Sequence, residues 1–85
     1  MSAPFEPGAV VSHDDFLAAV RDAVDADGRT HAEIADALGL KGRGPVSKAL
    51  STTGGSRYAG TLADIGALLW GERAETVRAF RFPAG

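Results

Sequence analysis

The chain contains no cysteine, which removes disulfides and thiolate-bound metal from the means of stabilising it. Aromatic residues are scarce: four Phe, one Tyr and one Trp in 85 residues. Apolar runs are short, as in Ala67-Leu68-Leu69-Trp70, far below the roughly 20 apolar residues of a membrane-spanning helix. Residues 1–8 carry no basic residue and include Glu6, which is not the pattern of a secretory signal. A cytoplasmic protein with no membrane partner is expected. At this length there is one domain with a small core, so self-association is a reasonable source of added stability.

A second absence is more informative. Residues 37–63 contain no acid but hold Lys41, Arg43, Lys48 and Arg57. Residues 1–36 carry eight acids against Arg21 and Arg29. The net charge of −2 therefore hides a basic window in an acidic chain, and nucleic-acid binding depends on such a patch more than on the total.

What is present reads as helices. Residues 1–11, rich in Pro, Gly and small side chains, suggest an extended arm anchored by Phe5 or Val10. Ser12 suits a helix N-cap, with Asp14 and Asp15 at the positive end. Phe16, Leu17, Val20, Ala23 and Val24 follow at a spacing near 3.6, and Asp27-Gly28 ends the helix. Thr30-x-x-Glu33 is a capping box opening a second helix, with Ile34, Ala35 and Leu38 inward and Gly39 as its stop. Pro45 fits the first turn of a third helix, about 45–53, whose buried stripe is Val46, Ala49 and Leu50. Thr61-x-x-Asp64 predicts the start of a fourth, with Leu62, Ile65, Leu68 and Leu69 inward. Residues 72–81 suggest a fifth, with Val77 and Phe80 inward. No strand alternation is visible. The expected fold is all-α: a compact bundle of about five short helices, with a helix-turn-helix at 30–53 in a domain spanning 12–82 and a tail at 83–85.

That unit carries the functional reading. With Val46 and Leu50 inward, Ser47, Lys48, Ser51 and Thr52 are left on the outer face. They are short hydrogen-bonding side chains plus one cation, sized for base edges and phosphates. Lys41 and Arg43 lie in the turn, where Gly42 and Gly44 let backbone approach phosphate. Arg57 and Tyr58 follow and suit a clamp on the DNA backbone. Solvated loop charges on a small helical domain are the plainer alternative. Chemistry has little support: His13, Asp14 and Asp15 are adjacent on a helix and diverge, and Gly42-Arg43-Gly44 lacks the strand–helix context of a phosphate loop. No enzyme activity, metal or cofactor is expected.

The run Thr30-His31-Ala32-Glu33-Ile34-Ala35-Asp36-Ala37-Leu38-Gly39-Leu40, followed by Val46-Ser47-Lys48-Ala49-Leu50-Ser51 and later by Thr61-Leu62, resembles the Cro/phage-repressor type (XRE) helix-turn-helix family. The resemblance covers roughly residues 16–71. It implies a lambda-repressor-like five-helix domain, usually dimeric, that regulates transcription on double-stranded DNA. It also implies that His31 touches phosphate and that Ser47, Lys48, Ser51 and Thr52 face the groove. The segment 41–45 makes the turn one residue longer than the family pattern. A narrower resemblance, in Leu50-Ser51, Gly54-Gly55 and Thr61-Leu62, is to antidote (antitoxin) proteins of toxin–antitoxin modules. Those repress their own promoter and hold a small toxin, so the acidic face of the first helix would dock a small basic toxin. Val77, Phe80 and Phe82 are the expected apolar patch of a homodimer.

Overall fold

The computed structural model describes residues 4–6, 9–51 and 58–78, and among these it contains five α-helices and no strand. They are α1 (His13–Asp27), α2 (His31–Ala37), α3 (Gly44–Ala49), α4 (Ala59–Trp70) and α5 (Ala74–Arg78). The fold is the expected all-α bundle, with α4 against α1, α3 and α5, and α2 against α3.

Local signals fix the first two helices. Ser12 caps α1, its hydroxyl accepting from the Asp15 N–H at 3.1 Å. All five apolar residues of the α1 stripe are buried. Gly28 closes α1 in the left-handed region at φ 80°, where a side chain would be strained. Gly39 does the same after α2, at φ 74°. Its N–H bonds the Asp36 carbonyl and the Leu40 N–H bonds the Ala35 carbonyl, a Schellman arrangement.

Other expectations are corrected. α4 starts at Ala59, two residues before Thr61, so the Thr61–Asp64 pair lies inside the helix and caps nothing. Asp64 instead accepts both oxygens' bonds from the Arg78 guanidinium, at 2.7 and 2.8 Å, tying α4 to α5. α3 ends at Ala49, with Leu50 as its C-cap, so Ser51 lies beyond the helix. α5 is shorter than the 72–81 expected, and residues 79–81 lie outside the described set. Near the N-terminus Phe5 and Val11 join the core, whereas Val10 is 70% exposed. The expected boundary after residue 11 therefore divides nothing in the packing.

The centre of the core is a trio of rings. Phe16 stacks on Phe5 at 6.1 Å between centroids and meets Trp70 edge-on at 5.7 Å; Phe5 and Trp70 are 6.5 Å apart, also edge-on. Gly66 lies one turn before Trp70 on the same face of α4. A Cβ built on Gly66 would come within 2.7 Å of the Trp70 ring. Alanine in a helix gains about 1 kcal/mol over glycine in propensity. Overpacking against a ring pinned by Phe5 and Phe16 costs about 1–3 kcal/mol. Gly66→Ala should thus lower stability in a urea melt, by about 1 kcal/mol, where propensity alone forecasts a gain. In a Trp70→Phe background the same change should become stabilising; a loss of equal size there would show that the ring is not the cause.

Candidate nucleic-acid interface

The segment from Thr30 to Ser51 is built in stages. The capping box comes first: the Thr30 hydroxyl accepts from the Glu33 N–H and the Glu33 carboxylate accepts from the Thr30 N–H, both at 3.1 Å. The Thr30 backbone bond, helped by the Thr30 side chain and the Arg29 charge, holds the Glu33 carboxyl below its ordinary pKa. Ile34 and Ala35 then bury the inner face of α2 at 0% and 1% exposure. Ala35 presents only a methyl group, which permits close approach of the helices. The connection to α3 spans residues 38–43, longer than the usual helix-turn-helix turn. Leu38 and Leu40 are half-buried against the core and pin its first part. Beyond Leu40 the chain is exposed through Pro45.

α3 is oriented by Val46, Ala49 and its C-cap Leu50, all buried. Pro45 occupies its first turn, where a missing amide costs nothing. This leaves Lys48 exposed on the outer face and Lys41, Arg43 and Gly44 exposed ahead of it. Ion pairs printed in the fold are Arg29 with Asp27 at 3.0 Å and Arg78 with Asp64 at 2.7 Å. Among the described residues Lys41, Arg43 and Lys48 pair with no carboxylate, which follows from the acid-free window around them.

His31 and Ser47 were both expected to face DNA. They are half-buried, and the His31 Nδ1 lies 3.0 Å from the Ser47 hydroxyl, a bond joining the start of α2 to α3. Ser51 is half-buried just past α3. Tyr58 is also half-buried, packed on the core directly before α4, so its ring is partly committed to packing. Thr52 and Arg57 lie outside the described residues, as do Phe80 and Phe82. Val77 requires a correction: it is 0% exposed inside the single chain, so it cannot contribute to a pairing patch on the surface.

Beside the His31–Ser47 bond is an open cleft of about 200 Å³, lined by Arg21, Val24, Asp25, His31, Ser47 and Leu50. Arg21 and Asp25 were not singled out in the sequence, where they read only as outer residues of α1. Among the described residues no group of His, Asp and Glu is arranged to hold a metal ion, and no helix is long and apolar enough to cross a membrane. No family model, no curated protein and no solved structure matches the chain.

Proposed function

We propose that the protein binds double-stranded DNA through α3 and the turn before it, and regulates transcription as a homodimer. One observation carries the reading: three exposed cations, Lys41, Arg43 and Lys48, without carboxylate partners among the described residues, project from a unit whose opposite side is locked into the core. Cations held in this way neutralise phosphate at little internal cost, since no ion pair must be broken first. Two subunits would place α3 in successive major grooves about 34 Å apart.

The test is a mobility shift with DNA from upstream of the protein's own gene, at two salt concentrations. The wild-type protein should shift this DNA at low salt and lose it steeply as salt rises. Arg43→Ala with Lys48→Ala should abolish the shift and lower the salt slope by about two, one for each lost phosphate contact. Circular dichroism and melting should stay near wild type, because both side chains are exposed. A normal shift by the double variant, or no shift by wild type at low salt, overturns the reading. If wild type instead captures a small basic protein and no DNA, the exposed carboxylates of α1 are the working surface, as in an antitoxin.

A further inference from the structure

We infer that α3 and the turn before it hold the sugar–phosphate backbone of duplex DNA and carry little readout of its bases. The inference rests on the DNA-binding reading above and narrows it.

Base readout needs hydrogen-bonding side chains aimed outward from the helix in the groove. α3 has six residues, and few of them qualify. Val46 and Ala49 are in the core, at 0% and 2% exposure. Gly44 and Pro45 have no side-chain donor or acceptor. The Ser47 hydroxyl is half-buried and bonded to His31. Lys48 alone remains exposed and charged. The exposed donors of the whole described unit are therefore Lys41, Arg43 and Lys48, long flexible cations suited to phosphate.

The glycines of the turn point the same way. Neither Gly42 nor Gly44 has a positive φ, and a Cβ on either would meet nothing within 4 Å. The fold itself thus requires glycine at neither position. A bare backbone there is useful only to something arriving from outside, as phosphate does between flanking cations. Stacking of unpaired bases finds no platform, since no aromatic ring among the described residues is exposed. Duplex rather than single-stranded nucleic acid is the partner that remains.

The experiment is fluorescence anisotropy at several salt concentrations. The probes are the upstream duplex, a shuffled duplex of equal length and composition, and the single strand of that length. Wild type, Lys48→Ala, Ser47→Ala and Gly42→Ala with Gly44→Ala are compared. The two duplexes should bind within about tenfold of each other, against the roughly 10³-fold or more of specific readers. Lys48→Ala should weaken both equally and reduce the salt slope by about one. The glycine double variant should melt at or above the wild-type temperature, because the substitutions restrict the unfolded chain, yet bind both duplexes more weakly. A larger preference for the upstream duplex that survives in Ser47→Ala and Lys48→Ala also agrees, since discrimination then comes from elsewhere. A preference above about tenfold that either variant erases overturns the inference and leaves DNA binding standing. So does wild-type binding by the glycine variant, or tighter binding of the single strand. Failure to bind any duplex at low salt removes the DNA-binding reading itself.

Discussion

Phe16→Ala should remove about 3–5 kcal/mol of stability, the largest loss expected from a single truncation here. The Phe16 ring is 0% exposed and touches both other rings of the core, Phe5 and Trp70. Its removal leaves a cavity that α1 and α4 cannot close without moving, because Val20, Leu62 and Ile65 are themselves fully buried. A domain of this length has perhaps 4–13 kcal/mol in total, at about 0.05–0.15 kcal/mol per residue. The variant should therefore be partly or wholly unfolded at 25 °C, measured by urea titration with circular dichroism. Phe5→Ala, which truncates a half-buried ring of the same stack, should lose less. A loss below about 1 kcal/mol for Phe16→Ala would mean that the core is not organised around this ring.

Val77→Asp should be as severe, for a different reason. α5 is only five residues long and is held to the bundle by Val77 and by the Arg78–Asp64 pair. That pair is partly exposed, with Arg78 at 55% and Asp64 at 31% side-chain exposure, so it contributes little. Val77 is fully enclosed. A carboxylate there is buried without a partner, at a cost of about 3–5 kcal/mol. Melting temperature should fall sharply and by the same amount at every protein concentration. A folded variant with wild-type melting but altered mass by light scattering would return Val77 to the subunit interface. Concentration dependence separates the two outcomes cleanly, since an interface residue acts through mass action and a core residue does not.

The sequence made the first half of the fold legible because its rules are local. A cap needs a hydroxyl and an amide three residues apart, and a helix stop needs one glycine. Ser12, Gly28, the Thr30–Glu33 box and Gly39 satisfy those rules within their own turns. The same local reasoning failed at Thr61–Asp64, where the letters of a capping box occur but Asp64 is claimed by Arg78, 14 residues away. It also missed the His31–Ser47 bond, 16 residues apart, and the need for glycine at position 66, which only the Trp70 ring explains. Phe5 and Val11 were hidden for a related reason: no periodicity marks a residue that reaches the core from an irregular segment. At the candidate site, charge was readable and direction was not. The acid-free window follows from composition alone. Whether each side chain points outward depends on how Val46, Ala49 and Leu50 seat α3, which is a tertiary matter.

The stacking of Phe16 against Trp70 joins the second element of the core to almost the last, and this governs what the chain can do while it is being made. α1 emerges first, with its ring and its aliphatic stripe already in place. Synthesis at about 5–20 residues per second leaves that stripe without its α4 partner for several seconds. α2 and α3 can close on one another in that interval, since their contacts are near neighbours in sequence, but the bundle as a whole cannot. Until Trp70 arrives, the nascent α1 is an uncovered amphipathic helix with a strongly acidic outer face. Its carboxylates then keep the unfinished chain apart from other copies of itself, a task distinct from anything they do in the finished fold.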